Sequence, residues 1–192
     1  MLEIDLHVTE RTWDFACACL VTEVLAPDPL GRIWVANHLP DYQLDHERER
    51  VLQSVAVARR LEALVGEATG HVIVAGDLDA DPASDSLRFW TGRHVIADTS
   101  VCYRDAWEAT HPGEPLATYV PANPHQVDPD WPFREIDHVL LRCGRRGPTL
   151  AIIECRRTFD DGQLTPSDHY GVMVDFEALL SATGQPPPGA IS

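Results

Sequence analysis

Histidine and aspartate, the side chains that move protons and hold hard metal ions, occur singly or together in four short segments of this chain. The segments are Asn37-His38, Gly76-Asp77-Leu78-Asp79, Ile136-Asp137-His138 and Ser167-Asp168-His169. Each stands at the end of an apolar stretch with strand character, or in the loop just before one. A rigid sheet end fixes such side chains while leaving them open to solvent, which is where open α/β sheets carry their sites. Taken singly, each segment also fits a turn or a helix cap, because aspartate after a strand commonly serves as either.

The elements that must position these residues are legible from periodicity. Leu2, Ile4, Leu6 and Val8 alternate with Glu3, Asp5 and His7, the pattern of a half-buried strand. Further strands are expected over Phe15 to Val24, closed by Pro27-Asp28-Pro29, and over Ile33 to Asn37. Residues 43–65 change period: Val51, Leu52, Val55, Ala58, Leu61, Leu64 and Val65 share one helical face, and Gly66 ends it. His71 to Ala75 is a nearly continuous apolar run, as in a strand covered on both faces. A short helix through Leu87 and Trp90 follows Pro82. Six prolines between residues 111 and 132 mark a long ordered loop, a type of segment that is often functional. Ile136 to Arg142 and Leu150 to Cys155 are expected as strands joined by the Gly144–Gly147 turn, and Gly171 to Phe176 as the last strand. The arrangement is one α/β domain over residues 1–180, with a disordered Pro-rich tail over 181–192.

Composition narrows the function further. The chain has 192 residues and a net charge of −15, and all 15 of its basic residues are arginine. So acidic a surface repels nucleic-acid backbones on average, which leaves a local patch or a metal to make any such contact. No apolar run is long enough to span a bilayer, and the alternating N-terminus is unlike a signal peptide. Cys17, Cys19, Cys102, Cys143 and Cys155 are odd in number and none has zinc-ligand spacing, which fits a reduced, cytoplasmic setting. The same absence of paired ligands disfavours a zinc hydrolase. His46, His71, His94, His111 and His125 are expected on the surface, Asp41 and Asp45 as caps of the 43–65 helix, and Cys17 and Cys19 as buried small hydrophobes.

The four segments in order, with a helix between the first two, resemble the endonuclease/exonuclease/phosphatase superfamily. Tyr103-Arg104-Asp105-Ala106-Trp107 and Thr118-Tyr119 resemble the region between its second and third motifs. The resemblance implies a four-layer α/β/β/α sandwich and a metal-dependent phosphoesterase. It implies that His169 activates water or binds the scissile phosphate, and that Asp137 holds the other ring nitrogen of His169. His38 would donate to the phosphate, and Asp77 would position the nucleophile or help to hold Mg²⁺ or Mn²⁺, with Asp168 as a further metal carboxylate. Asn37 stands beside the substrate position, although a strand-end hydrogen bond explains it as well.

Two departures qualify the resemblance. Members of the superfamily carry an upstream Asn and a metal-binding Glu, and here only 36 residues precede Asn37. The chain is therefore expected to correspond to the C-terminal two-thirds of such a domain, with an exposed strand edge that favours a homodimer. Asp79 also stands where the family usually has Asn. It either repels substrate phosphate or adds a metal ligand, and the crowding of Asp77, Asp79 and Asp168 should raise at least one carboxyl pKa. The expected function is hydrolysis of a phosphodiester or phosphomonoester, on a phosphorylated small molecule or lipid head group ahead of nucleic acid. The alternative is a catalytically inactive remnant that serves as a binding or structural module.

Overall fold

In the computed structural model the described residues are 1–66, 70–96, 98–162 and 164–179; the expected tail over 181–192 lies outside them. The elements in chain order are β1 (Leu2–Asp5), β2 (Ala18–Leu25), β3 (Arg32–Leu39), α1 (Glu47–Val65), β4 (His71–Asp77), α2 (Asp85–Trp90), β5 (Tyr103–Asp105), α3 (Ala106–Thr110), β6 (Asp137–Gly144), β7 (Gly147–Pro148), β8 (Leu150–Thr158) and β9 (Gly171–Ala178).

The large sheet runs β1-β2-β3-β4-β6-β5, with the two-residue β7 added to β6, while β8 and β9 form a second, two-stranded sheet. Among the described residues only β3 and β4 pair in parallel, and α1 makes the crossover between them. Period-2 alternation sends Cys19, Val21, Ala36, Val72, Val74 and Leu140 to one face, where they close a core with Val55, Ala58 and Leu61 of α1 and Leu87, Phe89 and Trp90 around α2. The mixed sheets with helices packed on them are the expected α/β sandwich. The outer edge of β1 pairs with no other strand among the described residues.

Several expectations needed correction. The first strand stops at Asp5, because the Asp5 carboxylate accepts the His7 backbone N–H and turns the chain out of the ladder. The Gly144–Gly147 turn folds β7 back onto β6, and the chain then leaves for the other sheet, so β8 pairs with β9 and not with β6. α1 begins at Glu47, and Asp41 is no cap: its carboxylate accepts the Gln43 backbone N–H. His46 precedes the helix and is buried against Asp41 instead of lying on the surface.

α1 also buries part of its polar side. Arg50, 1% exposed, donates through Nε to Glu47 and through Nη1 to the carbonyls of Asp41 and Gln43. Gln53 donates to the Leu6 carbonyl and accepts the Asp41 N–H. Each buried group finds partners, so the helix anchors the 40–46 loop by hydrogen bonds as well as by apolar contact. Among the described residues no helix is long and apolar enough to cross a membrane.

Candidate active site

Three chain segments meet at one end of the large sheet. β4 ends at Asp77 and its antiparallel neighbour β6 begins at Asp137, and the register sets these two residues opposite each other. Residues directly across an antiparallel pair stand about 5 Å apart, so the two carboxyls share one locality. The loop before β9 brings in His169, whose Nδ1 donates to Asp137 Oδ2 at 2.8 Å. Its Nε2 faces Asp77 Oδ2 at 3.9 Å. Thr118 donates its hydroxyl to the same Asp137 oxygen at 2.6 Å, and the Tyr119 ring lies against the imidazole with centroids 4.8 Å apart.

Charge sets the protonation states. Burial raises the Asp77 carboxyl and the charge of Asp137 adds to it, carrying the group to about 6. Burial and then the charge of Asp77 push Asp79 to about 8, against a weaker pull from Arg50. Burial alone would lower His169, but its hydrogen bond to Asp137 and the charges of Asp137, Asp77 and Asp168 overcome this and lift it to about 9. At neutral pH His169 is therefore an imidazolium and Asp79 a neutral carboxylic acid. Asp79 has φ +48°, a left-handed conformation that Asp and Asn tolerate, and its backbone N–H donates to Asp77 Oδ1 at 3.0 Å. This turn carries Asp79 back beneath Asp77, which explains its burial.

Asp77, Asp79, Asp137 and His169 are thus brought into one cluster. Asp168 adjoins it, half-buried, with Oδ1 accepting from the Ser167 hydroxyl at 3.2 Å. His38 is not part of it. Alternation along β3 turns His38 to the helix side with Ala36, where it is fully buried against Trp90 and neither ring nitrogen has a partner among the described residues. Burial drives its pKa down to about 3, so the expected donation to a phosphate does not hold for this side chain. Its neighbour Asn37 takes the opposite, exposed face, and a Cβ on Gly76 would stand 3.3 Å from Asn37 Oδ1 and 2.4 Å from the His38 carbonyl. With φ +150°, Gly76 allows β3 and β4 to close at this end.

The proline-rich loop supplies residues that sequence reasoning did not assign to the site. The backbone N–H groups of Thr118 and Tyr119 bind the Arg134 carbonyl, and the Thr118 carbonyl accepts from Tyr170. Asn123, almost fully buried, donates to the Ser167 carbonyl at 3.1 Å. The loop therefore clamps the His169 segment. The signal for it was the density of prolines combined with Thr118-Tyr119. Behind the site, His138 Nδ1 donates to Asp105 at 2.9 Å and Nε2 donates to the carbonyls of Ala80 and Glu135. All three partners are acceptors, so the ring carries both protons and is held as a buried imidazolium next to Asp137 in β6.

Among the described residues no three His, Cys, Asp or Glu side chains converge as a metal cage. The donor chemistry still suits a hard divalent cation, which takes one or two carboxylates and completes its shell with water and phosphate oxygens. The raised values of Asp77 and Asp79 come first from burial and then from the neighbouring carboxylates, which together outweigh the opposing charges of His169 and Arg50.

A family model described as Endonuclease/Exonuclease/phosphatase family matches residues 4–169. No curated protein matches the chain. Among solved structures, the human nocturnin catalytic domain with bound sulfate anion superposes with a TM-score of 0.67 at 15% identity, covering 93% of this chain and 59% of its own. D. rerio TDP2 complexed with single-strand DNA product gives 0.62 at 18% identity, covering 93% and 68%. A Bacteroides thetaiotaomicron mannosyl-6-phosphatase gives 0.63 at 17% identity, covering 91% and 64%. The chain spans less than two-thirds of the nocturnin domain and of the mannosyl-6-phosphatase.

Proposed function

This chain belongs to the endonuclease/exonuclease/phosphatase family, and on that premise we propose that it hydrolyses a phosphoester at the Asp77–Asp137–His169 cluster. The observation that carries the reading is the His169–Asp137 pair, closed at 2.8 Å with Asp77 facing the free ring nitrogen. Asp137 and Thr118 fix the ring so that Nε2 addresses the open end of the sheet. In the absence of a cation His169 holds its proton at neutral pH and would donate from Nε2 to a phosphate oxygen. Without a bound cation Asp79 keeps its proton and is a hydrogen-bond donor, as an amide would be; with one it would give up that proton to become a metal oxygen. Mg²⁺ or Mn²⁺, held by Asp77 with Asp79 and Asp168 as further oxygens, would neutralise charge on the phosphate. Asn37, exposed at the end of β3, is in place to meet the substrate.

The net charge of −15 favours a phosphorylated small molecule or lipid head group over a polyanionic nucleic acid. Structural relatives bound to sulfate, bound to single-strand DNA product, or named for a sugar phosphate support phosphoester chemistry in general.

The test is hydrolysis of bis(4-nitrophenyl) phosphate and 4-nitrophenyl phosphate with Mg²⁺ or Mn²⁺. His169→Ala and Asp137→Asn should each lower kcat by about 10²-fold or more. Rates close to wild type in both would overturn the assignment. A second reading, binding without turnover, is favoured by the lack of a three-ligand cage among the described residues. Saturable binding of inorganic phosphate with no hydrolysis of either ester would select it.

A further inference from the structure

Cys102 and Cys143 are far apart in sequence, but the sheet makes them neighbours. β5 and β6 run antiparallel with Tyr103 opposite Arg142. Continuing that register by one residue sets Cys102 opposite Cys143, and the Cys143 N–H donates to the Cys102 carbonyl at 2.9 Å. Residues opposed across a hydrogen-bonded antiparallel pair have Cα atoms about 5.5 Å apart, inside the range of about 4.4–6.8 Å that disulfides span. The two sulfurs act on one another: burial pushes the Cys143 thiol up to about 12, and the adjacent Cys102 thiol adds to the rise.

Access is unequal. Cys102 is exposed, Cys143 is half-buried, and Cys17, Cys19 and Cys155 are buried. Cys102 and Cys143 line a cavity of about 350 Å³ together with Glu62, Gly92, Ser100 and Val101. Gly92 faces Cys102 so closely that a Cβ there would stand 3.3 Å from its sulfur, and the glycine leaves that sulfur room.

We propose that Cys102 and Cys143 form a reversible cross-strand disulfide, a modification site whose co-reactant is a small-molecule disulfide of the glutathione class. The exposed Cys102 thiolate attacks one sulfur of the reagent, forming a mixed disulfide and releasing one thiol. The Cys143 thiolate then attacks the Cys102 sulfur, closing the protein disulfide and releasing the second thiol. Two protein thiols are oxidised and one small-molecule disulfide is reduced to two thiols. The link ties the entry of β5 to β6, the strands that end at Asp105 and begin at Asp137 and His138.

Oxidised glutathione added to the intact chain, followed by intact-mass analysis, non-reducing peptide mapping and thermal melts, tests this. The wild type should lose two hydrogens, yield a peptide linking Cys102 to Cys143, and gain about 5–10 °C in Tm, reversed by dithiothreitol. Cys143→Ser should stop at a glutathione adduct on Cys102 with no gain in Tm, and Cys102→Ser should remain unmodified. A lasting glutathione adduct on wild-type Cys102 without the link, or a link through Cys17, Cys19 or Cys155, overturns the proposal.

Discussion

Replacing Asp79 by Asn should stabilise the protein, and by more as pH rises. In the unfolded chain Asp79 ionises at its ordinary value of 3.8, whereas in the fold burial and the charge of Asp77 hold it to about 8. A group raised in this way costs nothing below pH 3.8 and costs progressively more until pH passes 8, at about 1.4 kcal/mol per pH unit. At pH 7 the upper limit is about 4 kcal/mol; since Asp77 shares the same negative charge, about half of that is assigned to Asp79 alone. Asparagine has the same shape, tolerates φ +48° and removes the ionisation altogether. Asp79→Asn should therefore gain about 2 kcal/mol at pH 7, about 4–8 °C in Tm, and nothing at pH 4. Melts of both proteins at pH 4, 5.5 and 7 provide the check. An equal gain at every pH, or none at pH 7, would refute the reasoning. Repeating the melts with Mg²⁺ adds a second reading: if Asp79 is a metal oxygen, the Mg²⁺-dependent gain in Tm falls in the variant.

Three further outcomes follow from other contacts. Thr118→Ala removes the 2.6 Å hydrogen bond to Asp137 and should lower kcat about tenfold with little change in KM. It should also raise the pH at which His169 loses its proton; Thr118→Ser restores both, and an unchanged pH profile would count against the positioning role. The Asp105–His138 pair contributes fully between about pH 4 and 6.5, because His138 is raised above 6.5 and Asp105 lies below 3.8. Stability is lost above that window as His138 deprotonates and below it as Asp105 gains a proton, and Asp105→Asn should cost about 3–5 kcal/mol in denaturant titrations at pH 6. Gly76→Ala puts a Cβ 2.4 Å from the His38 carbonyl and should cost more than about 3 kcal/mol, whereas Gly31→Ala, with open space around it, should cost far less by the same measurement.

The strands and the long helix were legible because their signals are local: alternation marked β1, prolines closed the stretch that forms β2, a continuous apolar run marked β4, and the 3.6-residue period marked α1. What escaped depends on contacts made at a distance. Tyr103–Asp105 forms a strand only because β6 offers an edge, and three residues carry too little periodicity to announce it. The burial of Arg50 and Gln53 depends on acceptors supplied by the 40–46 loop and Leu6, contacts that no periodicity announces. His38 shows the reverse case. Its motif suggested chemistry, while the alternation that buries Ala36 dictates that a residue two positions on faces the same way. Asn37, read as structural, is the one that emerges on the open face.

The site's charge economy was only partly legible for the same reason. Three aspartates at strand ends imply repulsion, and a raised carboxyl was expected from sequence. Which proton sits where depends on burial that sequence does not state. Asp79 departs from the amide usual at its position, but the fold buries it until it keeps its proton at neutral pH, and a carboxylic acid donates as an amide does. His169 takes a proton for the opposite reason, being surrounded by Asp137, Asp77 and Asp168. The cluster therefore holds one cation and one neutral carboxylic acid where the formula of the segment promised only negative charge. A divalent cation at Asp77 would reverse part of that balance: it would draw the Asp77 and Asp79 values down and release His169 towards neutrality, so that the ring could accept a proton. Whether His169 acts as donor or acceptor is thus coupled to cation occupancy. Its NMR titration should show a midpoint near 9 without Mg²⁺ and a lower one with it; an unmoved midpoint would break the coupling.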